Sequence, residues 1–255
     1  MHMPHEMLPR ITADTALFLD FDGTLVEIAS RPEAVIVPPM LTGTLAALYG
    51  QLGGALALVS GRRLLDLDGF LAPLQLPAAV EHGAQRRSAG GLMISAPSTD
   101  LGHALEAAEA LVAQHPGLQL EQKNLAFSLH YRQAPELEAV CLQVMQEAVG
   151  RSAGLQLMQG KCVIDLKPAG VSKGTAIAAF MHEAPFAGRV PVFAGDDVTD
   201  EDGFDEVQRM GGYAVKVGPG ASRARYACTG VSELTVWLQS ALAQPLVSRA
   251  ESLPS

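Results

Sequence analysis

A run of apolar residues, Ala16-Leu17-Phe18-Leu19, ends on Asp20-Phe21-Asp22-Gly23-Thr24, where two carboxylates are separated by one residue and followed by a glycine. A short apolar run bounded in this way predicts a strand buried on both faces, the kind found inside parallel sheets. In extended backbone the two acids fall on one face, and Gly23 permits a tight exit that crowds both carboxylates and the main chain into a small volume. Like charges that close need a proton or a cation to offset them, and a hard divalent ion such as Mg²⁺ suits oxygen donors. A plainer reading, a strand end followed by an Asp-Gly turn, fits the same residues. On this stretch alone both stand.

The rest of the chain repeats the pattern. A Pro-rich loop over 27–39 precedes a helix with leucines at 41, 45, 48 and 52, and Ala55 to Val59 forms a second apolar run tipped by Ser60-Gly61-Arg62. A short helix over 64–71 leads to Ala78-Ala79-Val80 and the polar tip Glu81-His82-Gly83. Strands alternating with helices predict a parallel sheet with right-handed crossovers, and ligands of such sheets bind beyond the carboxyl ends of the strands. From about Arg86 the character changes, with Gly90-Gly91 as a hinge-like pair. Helical patterns over 101–114 and 134–149, and alternating strands over 118–123, 126–132, 155–158 and 163–166, predict a smaller α+β unit inserted into the first. Lys173-Gly174 then opens a helix, and Val190 to Gly195 is a strand ending in Asp196-Asp197-Val198-Thr199-Asp200. Acids at a helix N-terminus are a plain reading of this cluster, but two acidic clusters on two strand ends are harder to dismiss than one.

With 48% hydrophobic residues in 255, the chain can fill a large core. Its net charge of −9 argues against nucleic acid or an anionic membrane as a partner, so an anionic ligand needs a locally built cationic pocket. Cys141, Cys162 and Cys228 are odd in number and lack metal-ligand spacing, which predicts reduced thiols and a cytoplasmic protein. No apolar run is long enough to span a bilayer.

Taken in order, Asp20-x-Asp22-Gly-Thr, Ser60-Gly61-Arg62, Lys173-Gly174 and Gly195-Asp196-Asp197-x-x-Asp200 resemble the four motifs of the haloacid dehalogenase (HAD) superfamily of phosphatases. Glu81-His82-Gly83, Glu121-x-Lys123, His130-Tyr131-Arg132, Gly160-Lys161 and Lys167-Pro168 resemble, more closely, the trehalose-6-phosphate phosphatase family within it. The resemblance implies an α/β fold with a Rossmann-like parallel-sheet HAD core of residues 1–87 and 166–246. It also implies a smaller inserted α+β cap domain over 88–165 and a disordered tail over 247–255. The implied activity is Mg²⁺-dependent hydrolysis of trehalose 6-phosphate through an aspartyl-phosphate, in a stand-alone monomer with a small sugar phosphate as its partner. Hydrolysis of another sugar phosphate, of the sucrose phosphate or mannosyl-phosphoglycerate type, is the alternative. A phospho-receiver module, which holds an acyl phosphate without turnover, is a third.

The same resemblance distributes roles. Asp20 is the expected nucleophile and Asp22 the acid and base that protonates the departing sugar oxygen and later deprotonates water. Mg²⁺ is expected on Asp20, Asp196 and the main-chain carbonyl of Asp22, with Asp200 orienting a metal-bound water and Asp197 holding Lys173. Lys173 and Ser60 supply a cation and a hydroxyl donor to the phosphoryl oxygens. Arg62, His82, Gly83, Glu121, Lys123, Arg132, Lys161 and Asp165 are the expected substrate contacts. At position 165 such enzymes more usually carry a glutamate.

Overall fold

A computed structural model of the chain describes residues 8–243 and 246; the tail expected over 247–255 lies outside them. The chain builds β1 (Thr15–Leu19), α1 (Leu41–Gln51), β2 (Leu56–Val59), α2 (Leu64–Leu71), β3 (Ala78–Val80), β4 (Gln85–Arg87) and β5 (Met93–Ser95). Next come α3 (Gly102–Gln114), β6 (Gln119–Gln122), β7 (Phe127–His130), α4 (Glu138–Gly150), β8 (Leu155–Gly160) and β9 (Val163–Pro168). It continues through α5 (Lys173–Met181), β10 (Val190–Gly195), α6 (Glu201–Arg209), β11 (Tyr213–Val217), β12 (Tyr226–Cys228) and α7 (Val231–Ser240).

Eight strands form one sheet in the order β12-β11-β10-β1-β2-β3-β4-β5, parallel from β12 through β3. Strand β1 lies between β2 and β10, so the chain reverses its direction of travel across the sheet there. This is the switch point at which α/β sheets open a crevice beyond their carboxyl ends. β1 and β2 are buried at every residue, which is why they read as unbroken apolar runs. Phe18 packs its ring 5.4 Å from Phe186 and 5.9 Å from Phe180. Each such fully buried side chain contributes about 1.5–3 kcal/mol.

The second sheet is antiparallel, β6-β7-β9-β8, and forms a separate hydrophobic cluster with α3 and α4. Strict alternation divides its two faces. Phe127, Leu129, Ile164 and Leu166 are buried in the cluster with Cys141 and Met145 of α4, whereas Ser128, His130 and Asp165 line the crevice.

Gly90-Gly91 is no hinge. The pair sits in the turn of the β4–β5 hairpin, where Gly91 has φ +82° and the Ser88 and Leu92 backbones bond across it. The sequence signal was ambiguous because a glycine pair marks a hairpin turn as readily as a flexible joint. The larger sheet thus continues to Ser95 and the smaller to Pro168, across the 87/88 and 165/166 boundaries read from the sequence. No helix among the described residues is long and apolar enough to cross a membrane.

Candidate active site

The tips of β1, β2, β3 and β10 and the start of α5 converge under the polar face of the small sheet. Asp20 follows β1 and is buried; Lys173 opens α5 and is equally buried. The Lys173 ammonium donates to Asp20 Oδ1 at 2.7 Å and to Asp200 Oδ1 at 2.6 Å. A helix N-terminus disfavours a cation, so this lysine is held by carboxylates and not by its helix. Its helix is fixed instead by Ser172, whose hydroxyl accepts from the Thr175 amide while the Thr175 hydroxyl accepts from the Ser172 amide.

Asp197, expected to hold Lys173, does not. The 3₁₀ turn over Val198–Asp200 swings Asp200 back beneath the site, where its Oδ2 accepts from the Asp197 amide. The Asp197 carboxylate caps that turn and accepts the amide of Lys161 from the small sheet at 3.1 Å. A register of two neighbouring aspartates in a turn is decided by backbone geometry, which spacing alone leaves open.

Carboxylate oxygens of Asp20, Asp196 and Asp200 all lie within 4.8 Å of one another. Burial pushes Asp20 well above the usual carboxylate range, with Asp200 and Asp196 adding to the effect and Lys173 opposing it. Burial together with Asp200 and Asp197 raises Asp196 to about 7. Three acids facing one ammonium form a donor set short of positive charge and composed of oxygen alone, which fits a hard divalent cation. Gly23, at φ +79°, is required beside it: a Cβ there would lie 2.2 Å from Asp196 Oδ2. Lys216, which spacing did not single out, is a buried lysine in β11 that donates to the main-chain carbonyl of Asp196 at 2.7 Å and so steadies the loop carrying that acid. Its signal was a charge inside an apolar strand.

Asp22 is held by Arg62. Both of its oxygens accept from Arg62, at 2.6 and 2.7 Å, while the guanidinium also donates to the Pro32 carbonyl and lies 4.9 Å from the Phe70 ring centroid. Ser60 lines the crevice and its hydroxyl accepts from the Arg62 amide.

Of the expected substrate contacts, Arg62, His82, Glu121, Lys123, Arg132, Lys161 and Asp165 line the same crevice. Gly83 does not. It sits at φ +98° with its Cα facing the Ser172 carbonyl, 2.4 Å from where a Cβ would be, so its part is to let β3 approach α5. Asp165 is engaged on all sides: it accepts from Ser128, from Lys123 at 3.3 Å and from His82 Nε2 at 3.3 Å. Burial alone would raise its pKa, but His82, Lys123 and the hydroxyl outweigh that and hold it below the usual range. Burial lowers His82, and the neighbouring Asp165 opposes this; Lys123 is the permanent cation beside Asp165. Asp165 lines the crevice with Lys123 beside it. Glu121 pairs with His130 at 2.9 Å, and Arg132 donates to the Lys161 carbonyl at 2.7 Å.

The family model for trehalose-phosphatase matches residues 18–232. The trehalose-6-phosphate phosphatase of Escherichia coli K12 is 44% identical over 241 residues, covering 94% of this chain and 91% of that one. A probable trehalose-phosphate phosphatase of Sinorhizobium fredii is 43% identical over 206 residues, 80% of this chain and 78% of that one. Among solved structures, the C-terminal domain of the Candida albicans trehalose-6-phosphate phosphatase superposes with a TM-score of 0.81 at 22% identity, covering 91% of this chain and 92% of that chain, a likeness of fold. With the site at the switch point, the motifs in order and relatives matched over nearly the whole length, this chain belongs to the trehalose-phosphatase family.

Proposed function

We propose that the chain hydrolyses trehalose 6-phosphate to trehalose and phosphate. The observation that carries this reading is the Asp20–Lys173–Asp200 cluster with Asp196 at the switch point, roofed by the polar face of the small sheet. That sheet and its two helices, residues 102–168, serve as the cap. A receiver module, which needs only the lower half, has no use for such a roof.

In the first half-reaction an Asp20 oxygen forms a bond to phosphorus as the bond from phosphorus to the sugar oxygen breaks, giving an aspartyl-phosphate. The electron pair leaves with the sugar oxygen, which takes a proton from Asp22. In the second, water attacks phosphorus, passes its proton to Asp22, and Asp20 is regenerated with release of phosphate. Both Asp22 oxygens are bonded to Arg62 in the structure, so either transfer requires one of those bonds to open. A phosphate dianion competing for the guanidinium is the group that opens it. Lys173 neutralises charge on the phosphoryl oxygens and Ser60 donates its hydroxyl to one of them. Mg²⁺ held by Asp20, Asp196 and the Asp22 carbonyl, with Asp200 nearby, would neutralise further phosphate charge. Glu121, Lys123, Arg132 and Lys161 face the sugar. The lining residues of the pocket all come from this chain, and the protein acts as a monomer on this reading; the three free thiols suit the cytoplasm.

Phosphate release from trehalose 6-phosphate, measured with and without Mg²⁺, tests the reading. Activity should require the metal and disappear in Asp20→Asn with the circular dichroism spectrum preserved. Substantial turnover by that variant would remove Asp20 as the nucleophile. Preference for another sugar phosphate in a panel would move the substrate assignment to the alternative sugars.

A further inference from the structure

Glu81 takes no part in the chemistry above, yet it is completely buried. Among the described residues no lysine or arginine pairs with it. Its two carboxylate oxygens accept instead from the backbone amides of Asn124, at 3.0 Å, and Leu125, at 2.8 Å. Both belong to the turn joining β6 to β7, so a core carboxylate is satisfied entirely by cap backbone. The Asn124 side chain adds a bond to Gln85 of the core at 3.0 Å. Glu81 and His82 both occupy left-handed backbone, φ +50° and +56°, a conformation that non-glycine residues adopt only when the surroundings impose it.

The place of this contact along the cap gives it a meaning. Phe127, directly after the turn, pairs with Leu166, and β9 leaves the cap two residues later at Pro168. The Glu81 contact therefore lies at the end where the cap returns to the core. The opposite end, the β8–β9 turn with the start of β6 beside it, meets the core through exposed or half-buried groups, the Lys161 amide on Asp197 at 3.1 Å and the Gln119 side chain on Glu33 at 3.1 Å.

We propose that Glu81 is a positioning residue, the pivot anchor of the cap. It fixes the β6–β7 turn to the core at the exit end by a buried contact, leaves the far end on solvent-exposed bonds, and sets Lys123, the residue just before the anchored amides, against Asp165 over the site. The inference rests on the reading of the crevice as a sugar-phosphate site. A carboxylate accepts from both amides at once; a carboxamide offers one acceptor and turns an NH₂ toward the second amide.

Glu81→Gln, tested on trehalose 6-phosphate and on p-nitrophenyl phosphate, separates positioning from general damage. The expected result is a fall of about 100-fold in kcat/KM for the disaccharide phosphate, the scale on which an ångström of misplacement is felt, with hydrolysis of the aryl ester close to wild type. Equal losses on both substrates, or none on either, overturn the proposal. Hydrogen exchange on the wild-type protein decides independently of how the variant folds: the Asn124 and Leu125 amides should be protected, and rapid exchange at both overturns the anchor. A wild type with no preference for the disaccharide phosphate would instead refute the substrate reading and leave the exchange measurement to judge Glu81.

Discussion

Removing the charge at Asp165 tests whether this residue acts through Lys123. The two side chains are 3% and 4% exposed and 3.3 Å apart, so Asp165→Asn leaves an ammonium out of water with no anion at its side. Breaking a buried pair by removing one partner costs about 3–5 kcal/mol. Asparagine retains an acceptor for Ser128 and Lys123, which puts the expectation at the lower end, about 3 kcal/mol. For a chain of this size that is a fall in Tm of roughly 6–12 °C. The sign with pH follows from the depressed pKa. The carboxylate contribution is complete above the ordinary value of 3.8 and declines as pH falls below it, so the difference between wild type and Asp165→Asn should be constant through neutral pH and shrink in acid. Lys123→Met in the same chain removes the stranded cation, and the double variant should recover about 1–3 kcal/mol relative to additivity. Denaturant melts at pH 7 and at about pH 2.5 supply the measurements, and KM for trehalose 6-phosphate should rise more than kcat falls. A single variant costing under about 1 kcal/mol, or a double variant that is simply additive, would refute the pairing as the reason for the residue.

Other expectations follow from the same geometry. Because Asp20 and Asp196 are both raised, Asp196 to about 7, a divalent cation entering the cluster should displace protons; calorimetry with Mg²⁺ in buffers of different ionisation heat should find more proton release at pH 6 than at pH 8. The ammonium of Lys173 bridges two buried acids, so Lys173→Met should abolish phosphate release and lower stability by about 3–5 kcal/mol, with Asp20→Asn in the same chain restoring part of the stability and none of the activity. Gly83→Ala brings a Cβ to 2.4 Å from the Ser172 carbonyl at φ +98°, and because Ser172 caps the helix that Lys173 opens, the cost of more than about 1 kcal/mol should come with reduced turnover.

Several parts of the fold were legible because burial leaves a mark on composition. Strands β1, β2 and β10 are covered on both faces, so they read as apolar runs, and each ends where the next polar residue reaches the crevice. The alternation of β7 and β9 was legible for the same reason, since one face packs on helices and the other looks into the site. Gly90-Gly91, in contrast, was misread because glycine reports a backbone angle without saying which structure needs it. Short strands such as β12 and the β4–β5 hairpin carry too few residues for any period to emerge.

The four acidic and basic motifs, their order and their attachment to strand ends and a helix start were determined by the sequence itself, because local backbone preference and burial select those residue types position by position. Who pairs with whom was decided only in three dimensions. Lys173 meets Asp200 and not Asp197 because a 3₁₀ turn reverses the chain between them. Asp22 is bound by Arg62, forty residues away in the chain. Asp165 belongs to Lys123 and His82, and Glu81 holds the cap through backbone amides, which every residue but proline carries and no sequence can mark. Charge pairing and amide capture depend on distances between segments far apart in the chain, and those distances exist only once the sheet has assembled.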